Sequence, residues 1–465
     1  MRSPLLAGLR SFVLPGWGEV ATTRSQQGWM LILISLVLAN AVVATLVVLG
    51  PTSVASHILD PGVLLAVGVI NLMVAIARAV STGHAWWLAG GRSILVALIL
   101  GAVVVGPHIA VGWFTYQVRD TLVTVFAPPG PPLKTFVLVG TTTTTSTSTT
   151  TTTTTFPQNS EGDADPTIAV PTTTTTTMPP LSPVLQQRLN ILLLGGDAGP
   201  GRSGLRTDSV MVASIDPATG DAALFGLPRN LGNLHLTTGE VVPGRILNEV
   251  YGWGRDRSDR FPGIDPGAAA VADVVSYLTG LRIDYFMLVD LTGFSDIVEV
   301  FGGATVHVPK DVAVPLYDPS KGTYRMTVIK AGEQHLNGAE ALGYSRTRLD
   351  SNDYVRMGRQ RCVLSSLADK AGAVGMLTRL PALLGVFENH VTTNIPINLI
   401  PDLVRIGARV DSSSIRAIGF DPEWSSGTNE KGQLIPDIDR IRAAVLDTIQ
   451  NPSTAAVPTT AETCG

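Results

Sequence analysis

Three long apolar stretches crowd the N-terminal part of the chain, from about Trp29 to Gly50, Val63 to Val80 and Ser93 to Tyr116. Each reaches or approaches the ~20 residues that an α-helix needs to cross a bilayer core. Segments of that length with almost no charge do not suit the surface of a water-soluble domain. Only 15% of all residues are charged, which agrees with a partly membrane-embedded chain. Residues 1–120 are therefore expected to form a membrane region of three helices. Pro107 and His108 lie in the third stretch and mark a kink or an interfacial end there.

The short loops set the orientation. Arg2, Arg10 and Arg24 precede the first stretch, and Arg78 and Arg92 flank the second connection. The first connection, Pro51 to Pro61, carries no lysine or arginine. By the positive-inside rule the N-terminus is cytoplasmic and everything after the third stretch lies outside. Ala39-Asn40-Ala41 has the form of a signal-cleavage site, but it sits inside the apolar run rather than after it. Leu14-Pro15-Gly16-Trp17-Gly18 reads as an interfacial turn with an aromatic anchor.

The composition changes abruptly over residues 121–188. Thr141 to Thr155 is almost pure threonine, a second run covers Thr172 to Thr177, and prolines cluster on either side. Such a segment cannot build a core, so it is expected to be an extended, disordered tether. Its length corresponds to about 45 Å as a random coil.

Residues 189–450 read differently, and 451–465 as a C-terminal tail. Asn190 to Leu194 is a short strand ending in Gly195-Gly196-Asp197. Ser209 to Ile215 and Asp221 to Leu227 form a hairpin around Asp216-Pro217-Ala218-Thr219-Gly220. Further strands are expected at Ile283–Val289 and Thr305–Val308. Helices are expected at Asp265–Thr279, Phe294–Phe301, Asn337–Tyr344, Tyr354–Ala371, Leu377–Asn389 and Leu399–Val410. The fold class is α/β, with a mixed, partly antiparallel sheet sandwiched by helices.

Charge is unevenly distributed over this domain. Only six of the 33 basic residues are lysine, and arginine offers the planar fork that suits phosphate. Asp197 stands at a strand end, Arg206-Thr207-Asp208 closes the next loop, and Arg229 follows the returning strand. Arg346 and Arg348 follow Tyr344, while Arg356 and Gln360 share a helix face. Strand ends and loops are where an α/β scaffold displays a site. No Gly-x-Ser-x-Gly, His-Glu-x-x-His or Walker loop is present. The site is therefore expected to work by electrostatics and a metal, a profile that suits phosphoryl transfer. Asp350 and Asp353 read as a helix N-cap and a first-turn charge. The net charge of -4 argues against a nucleic-acid partner.

The order of motifs resembles the LytR-CpsA-Psr family over about residues 189–375. The residues that carry the likeness are Leu192 to Asp197, Arg206-Thr207-Asp208-Ser209, Leu227-Pro228-Arg229, Asp284-Tyr285, Gly293-Phe294 and Gly302-Gly303. Leu336-Asn337-Gly338 with Ala341, Tyr344 to Arg348, and Asp353 to Gln360 complete the order. The resemblance implies a phosphotransferase that moves a glycopolymer from a polyprenyl-pyrophosphate carrier onto a peptidoglycan acceptor. The alternative it leaves is a non-catalytic scaffold that holds polyprenyl phosphate. It further implies Mg2+ held by Asp197 and Asp208, catalysis by Arg346, Arg348, Asp208 and Arg206, and phosphates lined by Arg229, Arg356 and Gln360. Two departures stand out. Pro228-Arg229-Asn230 replaces the family's Pro-Arg-Asp, and Arg245-Ile246-Leu247-Asn248 replaces its Lys-x-Asn, leaving Arg245 outside the assigned set. The two cysteines, Cys362 and Cys464, lie outside the membrane on this topology and are expected to form a disulfide.

Overall fold

In a computed structural model the protein is described over residues 3–21, 26–37, 59–126, 188–197, 205–318, 323–349, 351–370, 373–411 and 414–451. The N-terminal part holds helices α1 (Pro4–Val13), α2 (Trp17–Val20), α3 (Gln26–Val37), α4 (Pro61–Leu88) and α5 (Ile94–Val125). Among the described residues two helices, α4 and α5, are long and apolar enough to cross a membrane, where three were expected. The first apolar stretch appears only as α3, and its remainder, 38–50, lies outside the described residues. The Thr/Pro-rich tract from 127 to 187 also lies outside them. Helix α5 runs past Tyr116 and past the expected limit at 120.

Local chemistry sets these helix starts. Pro61 occupies the first turn of α4, and the Asp60 carboxylate accepts from the amides of Gly62 (2.7 Å) and Val63 (3.0 Å). Ser93 caps α5 in the same way. Polar side chains stitch α4 to α5. Asn71 Nδ2 donates to the His108 carbonyl at 2.8 Å, and Asn71 Oδ1 lies 2.7 Å from His108 Nδ1. The Pro15-to-Gly18 segment is a close-packed turn, with Trp17 exposed. Gly16 has φ +96°, and a Cβ on Gly18 would lie 2.2 Å from the Ala7 carbonyl. Beneath it Glu19 is buried and accepts from Ser11 Oγ at 2.6 Å and Ser81 Oγ at 2.9 Å.

The C-terminal domain is built on a six-stranded mixed sheet. Its strands are β1 (Leu189–Gly196), β2 (Thr207–Ile215), β3 (Ala222–Leu227), β4 (Tyr285–Val289), β9 (Val391–Thr393) and β10 (Arg416–Gly419). Their order is β10-β3-β2-β1-β4-β9, antiparallel for β3-β2-β1 and β4-β9, and parallel for β1-β4 and β10-β3. Smaller ribbons pair β5 (Ala304–Val308) with β8 (Gly332–Leu336), and β6 (Val312–Asp318) with β7 (Thr323–Ile329). Strands β11 (Ser425–Thr428) and β12 (Leu434–Pro436) form a third. The helices are α6 (Val250–Arg255), α7 (Pro266–Thr279), α8 (Leu291–Val300), α9 (Gly338–Arg346), α10 (Asp353–Lys370), α11 (Ala373–His390), α12 (Ile400–Gly407) and α13 (Ile438–Gln450).

Period-two alternation gives the main sheet two buried faces. Leu192, Leu194, Val210, Val212, Phe286 and Leu288 point into a core shared with α6, α7 and α13. Leu189, Ile191, Ile215, Tyr285 and Met287 belong to a second cluster, with side chains from α11 and α12. A third core gathers the β5-β8 and β6-β7 ribbons around α8, α9 and α10.

Several of the sequence motifs prove to be scaffold. Asn337 caps α9 in a reciprocal box with Glu340. Gly303 has φ +82°, and a Cβ there would lie 2.6 Å from His335 Nε2. Asp284 and Asn190 exchange backbone and side-chain hydrogen bonds of 2.9 Å, locking β4 to β1. Phe225 is wholly buried, and its ring stacks on Phe420 at 6.4 Å. Replacing Phe225 with Ala is expected to cost about 3–5 kcal/mol of stability. A loss below about 1 kcal/mol in a denaturation measurement contradicts this placement of the core.

Candidate functional site

Gly195 and Gly196 close β1 against the start of β2. Gly195 pairs with Ser209 and Gly196 with Thr207, so Asp208 is the extra residue of a β-bulge. The strands approach closely here, since a Cβ on Gly195 would lie 2.9 Å from Ser209 Cβ. One residue further, Asp197 and Arg206 complete the ladder. The Asp197 amide donates to the Arg206 carbonyl at 3.0 Å, and the Arg206 amide donates to Asp197 Oδ1 at 2.8 Å. Asp197 and Asp208 thus sit at one end of the same pair of strands. Asp208 Oδ1 accepts from Arg229 Nη1 at 2.7 Å and from Asn248 Nδ2 at 3.0 Å.

Asp353 is the hub of the arginine cluster. Its carboxylate accepts from Arg229 Nε at 3.2 Å, from Arg348 Nη1 at 3.4 Å, and from Arg356 Nε at 3.2 Å and Nη2 at 3.0 Å. Arg356 Nη2 also donates to the Asp208 carbonyl at 3.0 Å. One carboxylate at the start of α10 therefore ties together the ends of β2, β3 and α9. Asp353 is a first-turn charge, as expected, but its partners are arginines from three elements.

The expected site residues divide by accessibility. Arg356 and Gln360 are buried. Gln360, expected to line the phosphates, donates from Nε2 to the Ser345 carbonyl at 3.0 Å. Its neighbour Arg359, fully buried under the Tyr344 ring at 5.2 Å, donates to the Thr347 carbonyl at 3.4 Å. Thr347 Oγ1 donates in turn to the Ala313 carbonyl at 2.8 Å. These bonds hold the backbone that carries Arg346 and Arg348. Arg206 is exposed and Arg346 half-buried, and neither guanidinium bonds to a described residue. Half of the Arg348 side chain is exposed, at 51%. Arg206, Arg346 and Arg348 are thus the more accessible of these arginines, while Arg229, Arg356 and Gln360 are held in the protein's own hydrogen bonds.

Electrostatics follow from this division. Burial alone raises the Asp208 carboxyl pKa, but the hydrogen bonds from Asn248 and Arg229 and the charges of Arg229 and Arg356 outweigh it and hold it below the usual value. Burial alone lowers Arg229; Asp208 and Asp353 more than compensate and hold it above its usual value. Three arginines, Arg229, Arg348 and Arg356, meet two aspartates, Asp208 and Asp353, so the cluster carries a positive excess. Such an excess attracts a multiply charged anion.

The described residues contain no group of three or more His, Cys, Asp or Glu able to hold a metal alone. Two carboxylates at one strand end still fit Mg2+, which commonly takes one or two carboxylates and fills its shell with water and substrate phosphate. Both side-chain bonds to Asp208 fall on Oδ1, which leaves Oδ2 for that purpose.

Two residues outside the expected set belong to the site. Asn248 reaches Asp208 from the short helix at Leu247–Glu249, while Arg245 stays exposed. The departed Lys-x-Asn element carried that signal in its asparagine. Asp353 gave only its place in the motif. Cys362 is buried in α10 and disulfide-bonded, while its expected partner Cys464 lies outside the described residues.

The LytR_cpsA_psr family model matches residues 142–440 of the chain. The polyisoprenyl-teichoic acid–peptidoglycan teichoic acid transferase TagU of Bacillus licheniformis is 28% identical over 208 residues, 44% of this chain and 60% of TagU. LcpB of Corynebacterium glutamicum, named for cell wall biosynthesis, is 33% identical over 200 residues, 43% of this chain and 41% of LcpB. The chain therefore spans less than two thirds of the length of either relative. The crystal structure of B. subtilis TagV aligns with 58% of this chain and 99% of its own at 26% identity, with a TM-score of 0.43.

Two outcomes test the site geometry. Asp353→Ala strands three arginines and is expected to cost about 3 kcal/mol, a drop in Tm of roughly 6–12 °C; an unchanged Tm contradicts the hub. Asp208 titrates below its unfolded value, so its charge stabilises the fold above pH ~3.9 and loses that effect as pH falls through the folded pKa. The stability gap between the native chain and Asp208→Asn should stay flat from pH 7 to about 5 and close below about pH 4. A gap that widens on acidification contradicts the assignment.

Proposed function

This chain belongs to the LytR-CpsA-Psr family, and on that premise we propose that it is a phosphotransferase that attaches a glycopolymer, carried on polyprenyl pyrophosphate, to peptidoglycan. One observation carries the reading. Three arginines, Arg206, Arg346 and Arg348, are left accessible on a frame that two aspartates and two further arginines hold rigid. A pyrophosphate is the kind of ligand that matches such an excess. The names of the relatives support the same direction, since TagU is a teichoic acid transferase.

In this reading Arg206, Arg346 and Arg348 bind the pyrophosphate and orient it. An acceptor hydroxyl oxygen attacks the sugar-linked phosphorus, and the bond from that phosphorus to the bridging oxygen breaks. Polyprenyl phosphate leaves with that oxygen, and Arg346 and Arg348 neutralise the charge that grows on it. Asp208, held below the ordinary carboxylate value, is a weak base. We assign the hydroxyl proton to the leaving phosphate, whose second pKa is near ~6. Asp197 and Asp208 would hold Mg2+, which when bound supplies charge neutralisation across the phosphate oxygens. Water in place of the acceptor hydroxyl gives a pyrophosphatase side reaction.

The membrane reading completes the scheme. Helices α4 and α5 support anchoring. We assign a third crossing to Trp29–Gly50, a cytoplasmic N-terminus and an extracytoplasmic catalytic domain, because lysine and arginine are absent from the Pro51–Pro61 loop. The substrate lipid and the domain then share one side of the bilayer.

A matched pair of variants tests the function. With the full chain in proteoliposomes, a lipid-pyrophosphate glycan, peptidoglycan and Mg2+, Arg346→Ala should slow transfer at least about 100-fold. Its Tm should hardly move, because Arg346 bonds to no described residue. Arg356→Ala should lose both activity and stability. Full transfer by Arg346→Ala overturns the assignment.

A further inference from the structure

Helix α5 is longer than a membrane crossing needs. Its 32 residues make about 48 Å of helix, against a hydrocarbon core of about 30 Å. Exposure along the helix changes character near Tyr116. Before it many large apolar side chains lie open, as for Leu98, Ile109 and Trp113, while Leu100 and Val104 are buried. After it Val118, Leu122 and Phe126 are 2%, 2% and 7% exposed, one stripe at successive i, i+4 positions. Gln117, Asp120, Thr121 and Thr124 put polar side chains on the other faces of this end, beside an exposed Val123.

The buried stripe rests on the catalytic domain. Val118, Leu122 and Phe126 share a cluster with Leu384 of α11 and with Leu399 and Ile406 around α12. The Phe126 ring meets Phe387 edge-on at 6.4 Å. The same cluster includes Leu189 and Tyr285, so it lies on one face of the central sheet. Leu59 and Leu64, at the start of α4, join it as well. Phe126 is the last described residue before the Thr/Pro-rich tract and Leu189 the second described residue after it, and both belong to this cluster.

We propose that the outer end of α5 is a seat for the catalytic domain, whose partner surface is the α11–α12 face. The domain is clamped to the membrane helix at one attitude. The seat rests on reading α5 as a membrane crossing, and its link to transfer rests on the proposed function.

The test uses the full chain in vesicles. Phe126→Cys combined with Phe387→Cys should be joined within one chain by a short bis-maleimide, which forms a thioether with each thiol, read by fragment mapping. Phe126→Cys combined with Lys431→Cys should not. Equal yields for the two pairs overturn the seat. Deleting residues 141–177 should leave the Phe126–Phe387 yield within twofold, because the α5–α11 contact and not the tract sets the domain's place, and a tenfold loss of that yield overturns the seat. Val118→Asp with Leu122→Asp should lower transfer from a bilayer-embedded donor at least tenfold and leave transfer from a water-soluble short-chain donor within twofold. Equal loss from both donors, or loss from neither, contradicts a positioning role. If the native chain uses neither donor, the proposed activity fails, and cross-linking still decides the seat.

Discussion

The site depends on the Asp353 carboxylate. Arginines repel one another, and drawing Arg229, Arg348 and Arg356 together at the end of a sheet is unfavourable without a counter-charge among them. Asp353 supplies it with four hydrogen bonds, at 16% exposure of its side chain. The removal of one partner from so buried a group is costly, so the cluster is a single cooperative unit. Asp208 has the same role on the neighbouring strand, where a bulge turns its carboxylate to Arg229 and Asn248. In the proposed function a ligand phosphate would meet an arrangement already assembled, with little ordering left for binding to supply.

Much of this architecture was legible in the sequence, for local reasons. The helix at Pro266–Thr279 announced itself through Asp265 as cap, Pro266 in the first turn and Gly280 in the left-handed conformation. The β2–β3 hairpin followed from alternation and its turn residues. What escaped was non-local. Strands β5 and β8 pair across the whole β6–β7 ribbon, and β10 joins β3 from far along the chain. No local period encodes such partners.

The sequence motifs assigned Arg346 and Arg348 a catalytic role and Arg356 and Gln360 a place along the phosphates, without their burial. In the structure Arg356 and Gln360 are buried. Gln360 and Arg359 serve the backbone of residues 345–347, and Arg346 is left with its guanidinium available. Burial depends on the third core packing under α9 and α10, which a linear reading does not hold. The reach of α5 into the domain escaped for a similar reason. Val118, Leu122 and Phe126 continue an apolar helix, and only the face opposite them distinguishes lipid from protein.

The most direct test of the central claim is product analysis with the full chain in proteoliposomes, given a polyprenyl-pyrophosphate glycan labelled in both phosphates, peptidoglycan and Mg2+. The account predicts one label in a new phosphodiester on peptidoglycan and the other in polyprenyl monophosphate, in equal amounts. Lipid that stays bound with its pyrophosphate intact, and peptidoglycan that stays unlabelled, would contradict it.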